Sequence, residues 1–125
     1  MSTHNILLVD DQDLIQGIMY SMITGIFKNI SVKCVSTAEM AVEEIKSNEY
    51  DLVFMDINLG ESNMGGIKAL EMIKETNPSQ KIYMMTGYPI DVNEQKIIEY
   101  LAEGILEKPF KLEELSGVIS KFVKK

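Results

Sequence analysis

Two kinds of apolar stretch alternate along the chain. Short runs at 6–9 (Ile-Leu-Leu-Val), 52–55 (Leu-Val-Phe-Met) and 82–85 (Ile-Tyr-Met-Met), with a shorter one at 105–106 (Ile-Leu), are unbroken and rich in branched and aromatic residues. Their length and composition predict strands buried on both faces, as in a parallel sheet. Residues 31–35 (Ser-Val-Lys-Cys-Val) alternate polar and apolar instead, which predicts a strand nearer the sheet edge. Longer stretches with helical spacing follow each run. The first carries Leu14, Ile15, Ile18, Met19, Met22, Ile23 and Phe27, and the second Met40, Ala41 and Ile45. Ile67, Leu70, Met72 and Ile73 mark the third, Val92, Ile97, Ile98 and Leu101 the fourth, and Leu115, Val118, Ile119 and Phe122 the fifth. Asp13 is a candidate cap for the first helix. Ser36-Thr37-Ala38-Glu39 has the look of a capping box for the second. Asn77-Pro78 stops the third, and Gly104 suits a left-handed residue just past the fourth, at 91–101. Strand followed by helix, five times over, predicts an α/β doubly wound fold: one parallel sheet, helices on both faces, right-handed crossovers. No linker or low-complexity tract interrupts it, so residues 1–125 read as a single domain.

Composition narrows the picture only at its edges. Acidic residues outnumber basic ones 19 to 12, a formal charge of −7, which disfavours direct nucleic-acid binding or an anionic membrane surface. No run approaches the ~20 apolar residues of a membrane span, and residues 1–5 lack the layout of a signal peptide. Cys34 is the single cysteine; it forms no internal disulfide and fits a reducing cytoplasm, where it reads as a small apolar residue.

The chemistry lies just past the strand ends. The first strand runs into Asp10 and Asp11, the third into Asp56, the fourth into Thr86 and the fifth into Lys108. Parallel strands point their carboxyl ends to one rim, where open α/β sheets bind ligands, so these five side chains are expected to converge. Three carboxylates in one pocket raise each other's cost of ionising. Hard oxygen donors at that density suit Mg²⁺ or Mn²⁺. Lys108 adds a fixed positive charge and Thr86 a hydroxyl, and together they describe a site that holds a phosphoryl group on or near a carboxylate.

The motifs Val9-Asp10-Asp11, Met55-Asp56-Ile57-Asn58, Thr86-Gly87 and Lys108-Pro109-Phe110, in this order and at these separations, make the whole chain similar to the receiver domain of two-component response regulators, in particular the stand-alone, chemotaxis-regulator-like kind. The resemblance implies a flavodoxin-like sheet of order 2-1-3-4-5. It implies that Asp56 is the phosphoacceptor, served by a histidine kinase or a histidine phosphotransfer protein. Asp11 would hold the metal directly and Asp10 mainly through water, with Asp56 and the Asn58 main-chain carbonyl completing the protein's share. Lys108 would pair with Asp56, then with its phosphate. Thr86 would turn inward to a phosphoryl oxygen, altering the surface of the fourth helix, fifth strand and fifth helix. A cis Lys108-Pro109 bond is also a family expectation, against a general frequency of about 5–6% for such bonds. The domain would catalyse its own phosphorylation and dephosphorylation, as a timed switch more than a turnover enzyme.

Three features depart from the family pattern. Ile105 stands where an aromatic residue is usual, which puts the threonine–aromatic coupling in question and turns attention to Tyr88 and Tyr100. The loop at 59–66 is about two residues longer than the common form and lacks its proline. Tyr88 and Asn58 occupy positions that tune dephosphorylation, and Tyr88 is expected to shield the phosphoryl group from water. The fourth helix, with Ile97, Ile98 and Tyr100, is the candidate surface for an unknown downstream protein or for a homodimer; the first helix is the candidate for kinase docking. Other classes fit worse. A flavin phosphate would meet Asp10-Asp11, an aspartate-based phosphatase would want a second acid where Asn58 stands, and the P-loop of a GTPase is absent. The serious rival is a receiver-like docking module that is never phosphorylated; a receiver cut from a hybrid kinase or a longer regulator would look the same.

Overall fold

The computed structural model describes residues 3–60 and 64–123. Five strands, β1 (His4–Val9), β2 (Ile30–Val35), β3 (Leu52–Asp56), β4 (Ile82–Thr86) and β5 (Gly104–Glu107), alternate with five helices, α1 (Asp13–Ile26), α2 (Ala38–Ser47), α3 (Gly66–Thr76), α4 (Val92–Leu101) and α5 (Leu112–Phe122). All pairings are parallel and the order is β2-β1-β3-β4-β5, the flavodoxin-like arrangement expected. β3 is buried along its whole length, while β2 alternates at the edge.

Period-two alternation splits the central strands between two cores. Leu7, Val9, Val53 and Met55 face α2 and α3, joined by Ala41, Leu70 and Ile73. Ile6, Leu8, Leu52 and Phe54 face α1 and α5, joined by Met19, Ile23, Leu115 and Ile119. Register then sets the site: Val9 lies opposite Met55, Asp56 opposite Met85 and Thr86 opposite Glu107. Asp10, Asp56, Thr86 and Lys108 therefore leave the sheet on the same rim. The main chain ties that rim together, Lys108 N donating to Thr86 O at 2.7 Å, Ile57 N to Met85 O at 2.9 Å and Asp10 N to Val35 O at 3.1 Å.

Several local expectations shift by a residue or change their reason. Gln12, not Asp13, stands at the N-cap position of α1, with no side-chain bond to the first turn, and Asp13 opens the helix. In α2 the cap is Thr37, whose hydroxyl accepts from Met40 N at 3.1 Å. Glu39 then falls one position short of the reciprocal box and accepts from Met64 N instead, at 3.1 Å. The full capping box belongs to α4, where Asp91 and Glu94 exchange bonds of 2.8 and 3.2 Å. No described glycine has a positive φ, so Gly104 is not a left-handed cap. A Cβ there would meet the tip of the Tyr83 ring at 2.5 Å, and the absent side chain makes room for that ring across the sheet. His4 belongs to β1, 3.5 Å from Asp51 at the opposite end of the sheet from Asp56. Of the long loop at 59–66, residues 61–63 lie outside the described residues.

Candidate functional site

Three of the predicted carboxylates and the predicted ammonium meet. Lys108 Nζ donates to Asp10 Oδ2 at 2.6 Å and to Asp56 Oδ2 at 3.1 Å, joining residues 98 and 52 positions away. Asp10, Asp11 and Asp56 each offer an oxygen within 4.8 Å of the others. The donor set is carboxylate throughout, a hard and doubly uncompensated cluster that fits a divalent oxygen-loving cation.

The three acids are held differently. Asp10 is 0% exposed, beneath Lys108, and accepts from Gln12 N at 3.0 Å. Its own carbonyl is pinned by Gln16 Nε2 at 2.6 Å, a side chain that also reaches Val35 O at 3.1 Å and so locks the β1 end to the β2 end. No local pattern singles out Gln16, whose polar place on an apolar helix is explained by those two carbonyls. Asp11 is half-buried and accepts from Gly60 N at 2.9 Å, which leaves it facing the open side of the site. Asp56 is buried, with Oδ1 accepting from Asn58 N at 3.2 Å. Gly66 lets α3 start directly against it: a Cβ at Gly66 would stand 2.0 Å from the Asp56 carbonyl oxygen. No acidic side chain occupies the first turn of α3, so the positive end of that helix meets β3 uncompensated.

Burial pushes the Asp56 carboxyl above the ordinary carboxylate range and Asp10 adds to this, while Lys108 and the Asn58 amide pull it back without cancelling it. At Lys108 burial acts to lower the ammonium, but the hydrogen bond to Asp10 and the charges of Asp56 and Asp10 outweigh it, and the value is raised.

Thr86 arrives on the rim but does not join the cluster. Its buried hydroxyl donates to Tyr88 O at 2.8 Å and accepts from Tyr88 N at 3.1 Å, turned along its own chain. The Lys108-Pro109 bond is cis, as the family likeness implied. A cavity of about 700 Å³ opens over Asp11, Asp56, Asn58 and Lys108 and continues along α1 and the start of the β5–α5 loop, over Ile15, Ile18 and Phe110. A second, of about 410 Å³, lies between Thr86, Ile90, Gln95 and Ile105. Of the residues expected on a partner surface, Ile98 is buried in the core at 2% exposure, because the α4 stripe faces inward at that position, Ile97 is partly buried against the same core, and Tyr100 is exposed; Val92, at the start of the helix, is exposed as well. Among the described residues no helix is long and apolar enough to cross a membrane.

Known proteins agree with this geometry. The family model for the response regulator receiver domain matches residues 6–120. The nitrogen assimilation regulatory protein NtrX of Azorhizobium caulinodans is 30% identical over 112 residues, 90% of this chain and 24% of that protein. The autoinducer 1 sensor kinase/phosphatase LuxN of Vibrio campbellii is 31% identical over 120 residues, 96% of this chain and 14% of that one. The chain thus spans a quarter or less of these two relatives. Among solved structures, a CheY-like response regulator receiver domain protein from Methanospirillum hungatei superposes with a TM-score of 0.86 at 26% identity, covering 96% of this chain and 93% of the other.

Proposed function

We propose that this chain, which belongs to the response regulator receiver domain family, is a phosphorylation switch with Asp56 as its acceptor. The observation that carries the reading is the single ammonium shared at 2.6 and 3.1 Å by Asp10 and Asp56, with Asp11 in the same cluster. Buried carboxylates are retained in such a group at a cost in stability, and a site that must receive a phosphoryl group gives that cost a use.

The chemistry follows from the parts. Asp56 Oδ attacks the phosphorus of a phosphohistidine; the new P–O bond forms as the donor P–N bond breaks, and the imidazole leaves with that electron pair. Lys108 offsets charge on the acceptor before transfer and on the phosphoryl oxygens after it. Asp11 and Asp56, on the open side, would hold Mg²⁺ or Mn²⁺ together with the Asn58 carbonyl, and Asp10, enclosed under Lys108, would reach it through water. A bound divalent cation supplies charge neutralisation and fixes phosphoryl oxygens in line. Thr86 then exchanges its bonds to Tyr88 for one to a phosphoryl oxygen and alters the surface made by α4, β5 and α5. Water entering the same cavity attacks the phosphorus, breaks the bond to Asp56 and returns the carboxylate.

The donor is a histidine kinase or histidine phosphotransfer protein in the cytoplasm, where a lone Cys34 stays reduced, and the apolar floor of the larger cavity along α1 suits a helix carrying the histidine. Output goes to a downstream protein, or to a second copy, through α4-β5-α5, with Tyr100 and Val92 as its exposed apolar contacts. Incubation with acetyl phosphate and Mg²⁺ tests the reading by intact mass. A gain of one phosphoryl group, absent in Asp56→Ala and in EDTA, is expected. An unchanged mass in the wild type would leave the docking module as the better account.

A further inference from the structure

In the first turn of α1, Gln16 sends its side chain back onto the ends of two strands. One nitrogen serves two carbonyls there: Nε2 donates to Asp10 O at 2.6 Å and to Val35 O at 3.1 Å. A primary amide carries two N–H groups, and both are used. Val35 O also accepts from Asp10 N at 3.1 Å. Asp10 is thus held at its nitrogen by β2 and at its carbonyl by α1. Its carboxylate accepts from Gln12 N at 3.0 Å and from Lys108 Nζ at 2.6 Å.

The bond to the carbonyl reaches furthest. A peptide group is planar, so the Asp10 oxygen, the Asp11 nitrogen and both Cα atoms turn together. Holding that oxygen sets the directions in which the Asp10 and Asp11 side chains leave the main chain. These two carboxylates and that of Asp56 bring oxygens within 4.8 Å of one another. Asp11 depends on the peptide plane most, being half-buried on the open side and accepting from Gly60 N at 2.9 Å. A neutral amide also suits the place by charge. It supplies donors to the main chain without a second positive charge, and so preserves the negative excess that attracts a divalent ion.

We propose that Gln16 is a positioning residue of the cation site: by holding the Asp10–Asp11 peptide plane it sets the two carboxylates where a divalent ion can use both. The role rests on the phosphorylation reading for its cation, and Gln16 itself touches neither the ion nor the phosphoryl group. A mere staple between α1, β1 and β2 would act on folding alone. A positioning residue acts on the cation affinity of the folded protein, and groups that orient metal ligands are typically worth about 10–100-fold in affinity.

The test is isothermal titration calorimetry with Mg²⁺ at neutral pH, on protein that circular dichroism shows to be folded at the same temperature. Gln16→Met keeps an unbranched side chain and removes both donors; Gln16→Asn keeps the donors and shortens their reach by one methylene. Binding should weaken roughly tenfold in Gln16→Met, at the lower end of that range, and several-fold in Gln16→Asn. Asp91→Ala, which loses the α4 cap instead, should bind as the wild type does. At saturating Mg²⁺ the rate of labelling by acetyl phosphate should return to the wild-type value in both Gln16 variants, because the loss is one of cation affinity. Wild-type affinity in folded Gln16→Met, or in Gln16→Asn where the former does not fold, overturns the inference and leaves the phosphorylation reading standing. An equal loss in Asp91→Ala, or a labelling rate that stays low at saturating Mg²⁺, does the same. A wild type that takes up no Mg²⁺, with Asp11→Ala as the reference, overturns both.

Discussion

Replacing Lys108 by methionine keeps most of the side chain's bulk and removes its charge, which isolates what the ammonium does. At an effective dielectric near 20, its contacts of 2.6 Å to Asp10 and 3.1 Å to Asp56 correspond to attractions of ~6 and ~5 kcal/mol. Each carboxylate pair within 4.8 Å repels by ~3.5 kcal/mol or more on the same basis. Lys108 therefore roughly balances the mutual repulsion of the three acids, and the variant leaves that repulsion unopposed. The ion pairs are shielded from solvent, with side-chain exposures of 18% for Lys108, 0% for Asp10 and 7% for Asp56, so screening takes away little. The carboxylates will relieve part of the strain by taking up a proton, and the net loss should be the ~3–5 kcal/mol typical of an orphaned buried ion.

For a domain of this size each kcal/mol moves the midpoint by roughly 4 °C, so Lys108→Met should unfold ~10–20 °C lower in EDTA at neutral pH. The pH dependence carries the sharper test. Asp56 already has a raised carboxyl value and loses the neighbour that lowered it. A raised folded value gives stability below the ordinary carboxylate range that is lost as pH rises, so acid should narrow the deficit. Lys108 in the wild type is raised too; its stabilisation holds below the ordinary lysine range and fades as pH climbs through the folded value. The gap between the two proteins should thus be widest between those two ranges, and Mg²⁺ should raise the variant's midpoint by more than the wild type's. Circular-dichroism melts at several pH values, with EDTA or Mg²⁺, give all of this. A variant within ~1 kcal/mol of wild type at neutral pH, or one whose deficit ignores both pH and Mg²⁺, would refute the reasoning.

Asp56→Asn removes a carboxylate whose raised value makes ionisation unfavourable in the fold, so in EDTA it should melt above wild type at neutral pH, lose that advantage in acid, and take no phosphoryl from acetyl phosphate by mass. Gly66→Ala forces a Cβ into the Asp56 carbonyl, a backbone collision with no flexible group to yield; urea unfolding should show a loss of about 2 kcal/mol or more at unchanged m, and acetyl phosphate labelling should slow because Asp56 is displaced. Asp91→Ala deletes the α4 capping box and should cost ~1 kcal/mol in the same assay, while the rate of labelling stays at the wild-type value.

What the sequence disclosed and what it withheld divide along a physical line. An unbroken apolar run such as 52–55 is legible because a strand covered on both faces has nowhere to put a polar residue, and the carboxylate after it marks the sheet's rim. Convergence of Asp10, Asp56 and Lys108 then needs only parallel strands, which the five strand–helix repeats demand. Side assignments on helices were less secure. A stripe of spacing three and four says that one face is buried without saying where its margins lie, so Ile98 looked available to a partner and is core, while Leu14, Ile18 and Met40 looked internal and are exposed. Contacts between distant positions left no local trace at all: Gly104 answers to the ring of Tyr83, 21 positions away and opposite it in the sheet, and Gly66 to the carbonyl of Asp56, 10 positions away where α3 starts against β3. Nor does spacing reveal that the Thr86 hydroxyl is occupied by Tyr88, since any threonine at a strand end has that choice.

Charge counting explains why the cluster is built from these residues rather than others. Three carboxylates against one ammonium leave the pocket with two negative charges when all are ionised, and a single divalent cation cancels them. With fewer acids a cation would leave the site positive and the acceptor oxygen would be a poorer nucleophile toward phosphorus. With a second lysine the approaching phosphoryl group would be held as well before transfer as during it, which lowers no barrier. Converting the Asp56 carboxylate to an acyl phosphate dianion adds one negative charge to a neutral pocket. On the proposed reading that excess would not be met by Lys108 alone, already shared with Asp10, and would draw on the Thr86 hydroxyl and on the positive end of α3, seated on Asp56 by Gly66. The same excess would favour release of phosphate to water, so a phosphorylated state would carry the electrostatic reason for its own decay.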